Sequence, residues 1–134
     1  MSTRRESREQ ALSLCYEIDI RAADADAILD DLPVVPDEYT LRLVRGVDEH
    51  RDELDALIRK YSEHWALERM PLVDRAILRI GAFELGWEPE LSTGVVISEA
   101  VELAKEYSTK DSGRFVNGML ARIAEDLRVP DAAS

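Results

Sequence analysis

Three arginines stand near the start of the chain. In the segment STRRESRE, Arg4, Arg5 and Arg8 are spaced by three and four residues, so one helical face can hold them together. A fork of guanidiniums at a helix start suits phosphate, because each offers planar, permanently charged donors. Glu6 and Glu9 interrupt the cluster, so the same residues also fit an ordinary charged terminus with local ion pairs. A second candidate is TKDSGRF, from Thr109 to Phe115. It reads as a polar, glycine-containing loop entering a helix, where backbone donors can receive a phosphate. Arg114 can assist there. Phe115 can stack on a base if it stays out of the core, but it begins an apolar stripe, which favours burial.

Other chemistry finds no support. The chain has no phosphate-cradling glycine loop and no cysteine pair for zinc. Ser13, Ser62, Ser98 and Ser108 lack a nucleophile-elbow setting. His50, in VDEHRDELD, is crowded by carboxylates; a metal cluster is conceivable, but a plain histidine on a solvated helix face fits better. His64 has no partner at ligand spacing. Cys15 is the single cysteine, so no internal disulfide can form. It lies among Ala11, Leu14 and Ile18 at helical spacing and reads as a small buried hydrophobe. No enzyme, metal or cofactor is expected.

The formal net charge of −11 argues against a nucleic-acid binder only as a sum. Residues 11–38 carry eight acids and one arginine, whereas residues 1–10 carry three arginines and two glutamates. The acid excess is concentrated in one segment, and a local basic site is compatible with it. With 134 residues, 46% of them hydrophobic, the chain can build one domain with a real core. No apolar run approaches a membrane span and no signal core opens the sequence, so the expectation is a cytoplasmic protein.

The elements that must position these residues are helical almost throughout. Ala11, Leu14, Cys15 and Ile18 mark a helix from about Arg4 to Arg21; Ala27, Ile28 and Leu32 mark a short one ended by Pro33. Asp37 is a suitable cap for a long helix carrying Leu43, Val44, Val47, Leu54, Leu57, Ile58 and Tyr61, with Gly46 marking a bend or a close contact. Pro71 fits a first helical turn, followed by the stripe Val73, Ala76, Ile77, Ile80 and Phe83 and a stop at Gly86 and Pro89. Ser92 or Thr93 is expected to cap a helix burying Ile97, Ala100, Val101, Ala104 and Tyr107. Asp111 or Ser112 is expected to cap the last, which ends before Pro130. Asn117-Gly118 is a strong hairpin signal. Phe115, Val116, Met119, Leu120, Ile123 and Leu127 nevertheless recur on one helical face through it, so a helix is expected to run across the pair. Gly118 then falls opposite the core, either tolerated at about 1 kcal/mol relative to alanine or left bare for a close approach. The fold class is all-α, with about seven helices.

The segments LPVVPDEYTLRLVRGVDEHRDELDALI, MPLVDRAILRIGAFEL and VVISEAVELAKEYSTKDSGRFVNGML resemble the NusB family of transcription antitermination factors across nearly the whole chain. The resemblance implies a single domain of two small helical bundles, about residues 1–64 and 65–129, without catalytic activity. It implies pairing with the ribosomal protein NusE and joint binding to boxA-type RNA of nascent ribosomal transcripts. Other Nus factors and RNA polymerase would be reached indirectly. Carried over by motif, RNA contacts fall on Arg4, Arg5, Arg8, Lys110, Asp111, Arg114, Phe115 and Gly118, and NusE contacts on Tyr16, Glu68 and Asp74. Acidic groups on that surface suit a basic ribosomal protein.

Two rival readings remain beside this one. A protein–protein interaction module or homodimer of the same fold, without RNA binding, accords with the acidity and the interrupted arginine cluster. A fragment of an RNA-modifying enzyme would need a glycine-rich cofactor segment, which the sequence lacks.

Overall fold

Residues 76–85 form a helix with no solvent face. Its run AILRIGAFEL is apolar around the helix apart from Arg79 and Glu84, the pattern of a helix meant for the centre of a bundle. The computed structural model describes residues 3–63 and 65–128; His64 and the expectation for it lie outside them. Among the described residues the elements are α1 (Arg4–Arg21), α2 (Ala25–Asp30), α3 (Glu38–Glu49), α4 (Arg51–Tyr61), a 3-10 turn (Leu67–Arg69), α5 (Leu72–Trp87), α6 (Thr93–Tyr107) and α7 (Lys110–Leu127), with no strand. The fold is all-α with seven helices, as expected. The central helix, α5, packs against α1, α3, α4, α6 and α7. Ile77, Leu78, Ile80, Met119, Leu120 and Ile123 are fully buried, each stabilising by about 1.5–3 kcal/mol.

A central helix with charges in it must satisfy them, since an unpaired buried charge is costly. Arg79 donates to Asp55 of α4 at 2.8 Å and to Asp19 of α1 at 2.7 Å. Glu84 accepts from Arg8 of α1 and from the Tyr39 hydroxyl of α3. The carbonyls at the C-terminal end of α5 are taken up by Arg128, which donates to Leu85 O at 3.0 Å and to Glu88 O at 3.1 Å. Among the described residues, every buried side-chain nitrogen and oxygen has a partner.

Three expectations are corrected. The helix foreseen from Asp37 to Tyr61 is two helices meeting at His50. His50 is not a plain surface residue: it adopts φ −102° and ψ 19°, and its ring stacks on Trp87 with centroids 4.2 Å apart. The backbone ladder continues across the junction, with His50 N–H donating to Gly46 O at 3.0 Å. Gly46 itself marks a close contact, because a Cβ there would sit 2.2 Å from Phe83 Cε1. Second, the buried stripe of α6 is rotated by about one position. Val96 and Leu103 join Ala100 and Ala104 inside, while Ile97 and Val101 are half-buried and Tyr107 is exposed. Third, α7 is capped by Thr109, whose hydroxyl accepts from Ser112 N–H at 3.1 Å, rather than by Asp111 or Ser112.

The helix does run through Asn117-Gly118. A Cβ at Gly118 would meet only Arg122 Nη2 at 3.5 Å, an ordinary contact, so packing does not require glycine there. Cys15 is buried, and burial is the main reason its thiol pKa is pushed up to about 12, which leaves it unreactive.

Candidate nucleic-acid interface

The start of α1 is shaped by the two glutamates that interrupt its arginines. Thr3 and Glu6 form a capping box: Glu6 N–H donates to Thr3 Oγ1 and Thr3 N–H to Glu6 Oε1, each at 3.1 Å. Glu9 accepts from the Tyr107 hydroxyl of α6. The three arginines then diverge. Arg4 is exposed, its guanidinium carbon 3.7 Å from the centroid of the Tyr39 ring. Arg5 is exposed but held by Glu99 of α6 through Nε at 3.2 Å and Nη2 at 3.4 Å, and this hydrogen bond raises its pKa.

Arg8 is 3% exposed and pairs with Glu84, Nη2 to Oε2, at 2.9 Å. Burial disfavours its charge, yet the Glu84 contact more than offsets that and its pKa rises. Burial and then the bond to Glu84 push the Tyr39 hydroxyl pKa up, so Tyr39 remains a donor. A face shared by Arg4, Arg5 and Arg8 is therefore not what the structure holds. Arg8 points inward, because Glu84 in the central helix needs a cation, and a phosphate cannot reach it.

At the start of α7, Lys110, Asp111 and Arg114 are all exposed. Among the described residues neither Lys110 nor Arg114 has an ion-pair partner. Asp111 lies in the first turn, where negative charge complements the helix dipole. With Thr109 capping and Asp111 beside it, the bare helix terminus is not an open anion site, and attraction for phosphate falls to the two cations. Both line a groove of about 730 Å³ between α6 and α7, with Lys105 opposite and Ile97, Val101 and Gly113 among its walls. Phe115 turns to the other side of α7. It is half-buried and meets Trp65 edge-on with centroids 5.0 Å apart, leaving part of its ring in a hollow of about 360 Å³ with Tyr61 and Arg122. Gly118 is half-buried, and its carbonyl accepts from Arg122 Nε at 3.3 Å. Helix α6 joins the two cationic regions, since Glu99 holds Arg5 and Lys105 faces the α7 groove.

The residues assigned to a protein partner also separate. Tyr16 is 37% exposed and borders a groove of about 300 Å³ with Leu12, Val73 and Tyr107. Glu68 is exposed and pairs with Arg59 at 2.8 Å, which holds its pKa below the usual carboxylate range. Asp74 is 0% exposed and accepts from Ser108 at 2.6 Å and from Ser112 at 2.9 Å. The expectation that Asp74 offers its carboxylate to a partner is corrected: it fastens the α6–α7 turn to α5.

Sequence reasoning missed Tyr39 beneath Arg4, Tyr107 beside Tyr16, and Lys105 across from Arg114. The capping box was readable as Thr3-x-x-Glu6. The inward turn of Arg8 had a signal too, because Glu84 inside an apolar run demands a buried cation.

Comparison with known proteins gives this arrangement a setting. The sequence profile of the NusB family matches residues 5–125. The chain is 47% identical to the transcription antitermination protein NusB of Saccharopolyspora erythraea, covering 92% of this chain and 88% of that protein. It is 43% identical to the protein of the same name from Beutenbergia cavernae, covering 100% and 99%. Among solved structures, T. maritima NusB superposes with a TM-score of 0.84 at 35% identity, covering 93% of this chain and 92% of that one. A complex of the antitermination factors NusB and NusE with double-stranded RNA matches with a TM-score of 0.78 at 28% identity, covering 92% and 96%.

Proposed function

The chain belongs to the NusB family, and from that premise we propose that it is a non-enzymatic transcription antitermination factor that binds boxA-type RNA of nascent ribosomal transcripts together with NusE. The observation that carries this reading is the solved complex of NusB and NusE with double-stranded RNA, one chain of which matches this chain over 92% of its length. Other Nus factors and RNA polymerase are reached through that complex, and the proposed place of action is the cytoplasm. The division into sub-bundles of about residues 1–64 and 65–129 belongs to the same proposal.

The physics suggests how the two proteins share the RNA. Arg4, Lys110 and Arg114 are exposed cations without carboxylate partners among the described residues. Three such contacts give a modest, salt-sensitive and unselective grip. A basic companion docked beside them extends the positive surface, and the second contact benefits from high effective concentration. The Tyr16 groove, with Glu9 on its edge, offers that companion an aromatic surface, and Glu68 lies outside this groove, paired with Arg59.

The rival, an interaction module without RNA binding, draws on the pairing of Arg5 and Arg8 with carboxylates. A titration of boxA-type RNA at physiological salt, with purified NusE present and absent, separates the two. Much tighter binding by the pair than by either protein alone is expected. Equal RNA affinity of NusE with and without this chain would favour the rival. Size-exclusion chromatography of the same samples reads self-association.

A further inference from the structure

Tyr39 is common to two of the three N-terminal arginines. Its ring lies beneath Arg4, at 3.7 Å from the guanidinium carbon, and 5.9 Å from that of Arg8. The ring is 9% exposed, and its hydroxyl donates to Glu84, the same carboxylate that pairs with Arg8. The platform is thus fixed from below by α1, α3 and α5 at once.

Stacking occupies only a face of a guanidinium, while its N–H donors radiate in the plane and stay available. Those of Arg4 have no hydrogen-bond or ion-pair partner among the described residues, in contrast to Arg5 on Glu99 and Arg8 on Glu84. The contrast is pointed because acids are close by: Asp37, Glu38, Glu88 and Glu90 line the same cleft as Arg4 and Tyr39. An arginine without a platform there would fold onto one of them, as Arg42 does onto Glu88.

We infer that Tyr39 is a positioning residue for RNA: its ring, fixed by its own burial in the core, holds the Arg4 guanidinium flat at the surface with its in-plane donors presented to a backbone phosphate. The inference rests on the RNA-binding reading above and adds the device that keeps this arginine off its carboxylate neighbours. An arginine already held in one orientation gives up less freedom on meeting its ligand.

The test is a fluorescence titration of labelled boxA-type RNA with the chain and NusE at fixed salt, alongside thermal melts. Arg4→Ala and Tyr39→Leu are each expected to weaken RNA binding by about three- to tenfold, the range of a partly desolvated cation–π contact. The double variant binds no more weakly than Arg4→Ala alone. Tyr39→Phe keeps the ring and stays within about twofold of wild type for RNA, yet melts earlier because the bond to Glu84 is gone. Arg4→Lys keeps the charge on an exposed site, but without the planar fork it weakens binding nearly as much as alanine.

Tyr39→Leu binding like wild type while Arg4→Ala is weakened would overturn the inference and leave the RNA reading standing. So would effects that multiply in the double variant, equal losses in the Phe and Leu variants, or Arg4→Lys binding like wild type. A wild-type chain that adds nothing to RNA binding by NusE would remove the RNA reading itself, and the inference with it.

Discussion

At the start of α1, Arg5 and Arg8 are engaged by Glu99 and Glu84; at the start of α7, Lys110 and Arg114 stand exposed with no ion-pair partner among the described residues. The segments look alike in composition, short polar stretches with cations entering a helix. What differs is what lies behind them. Helix α1 packs on the central helix, which carries a buried carboxylate needing a cation, and it lies beside α6, which carries Glu99. The cations of α7 flank a groove whose other wall offers Ile97, Val101 and Lys105, with Glu102 beside Lys105 at 3.7 Å and neither Lys110 nor Arg114 paired to it. Formal charge therefore overstates the cationic surface at the first site and represents it fairly at the second. A phosphate competes with solvent for Lys110, with Glu99 for Arg5, and cannot compete for Arg8 at all.

Substitutions sharpen this difference, beginning with the largest effect. Arg8→Ala leaves Glu84 buried beside Tyr39 without its cation and is expected to destabilise the fold by about 3–5 kcal/mol, read by equilibrium denaturation. A loss below about 1 kcal/mol would show that Arg8 is not the anchor its burial implies. The double change Lys110→Ala, Arg114→Ala should leave stability within about 0.5 kcal/mol while weakening RNA binding by the NusE pair. An RNA titration with unchanged affinity would take the α7 groove out of the site. Glu99→Gln releases Arg5 and should raise RNA affinity by about two- to fivefold, as expected for an exposed ion pair exchanged for another; unchanged affinity would mean that Arg5 does not contact RNA. Gly118→Ala is the mildest. The added methyl meets only Arg122, so stability should rise by up to about 1 kcal/mol. If RNA approaches this side of α7 closely, affinity falls in the same variant.

The parts of the fold legible in the sequence were those set by local rules. Period 3.6 located the helices, and it outweighed the hairpin signal of Asn117-Gly118 because a face running from Phe115 to Leu127 had to be buried. Caps such as Asp37 and Ser92 were readable for the same reason, their partners lying three residues away. Arg8 was misplaced because its partner lies 76 residues away. Nothing near Arg8 distinguishes it from Arg4, and only the charge inside the apolar run of α5 hints at the pairing. Asp74 is a similar case, held by serines more than thirty residues on. The one-position rotation of α6 and the turn at His50 depend on which neighbours the helices meet, including Trp87 and α7, and periodicity is blind to that. The family motif pointed to two polar helix starts, but which side chains in them are exposed was decided by tertiary pairing.

The central claim is that exposed, unpaired cations at both helix starts, and not the whole arginine cluster, grip the RNA beside NusE. It is tested most directly by the salt dependence of RNA binding by the pair. Each single-strand phosphate contact contributes about 0.7 to the slope of log K against log salt, so replacing Arg4, Lys110 and Arg114 together by alanine should flatten the slope by about 2, with NusE binding unchanged. A slope that stays where it was would contradict the account.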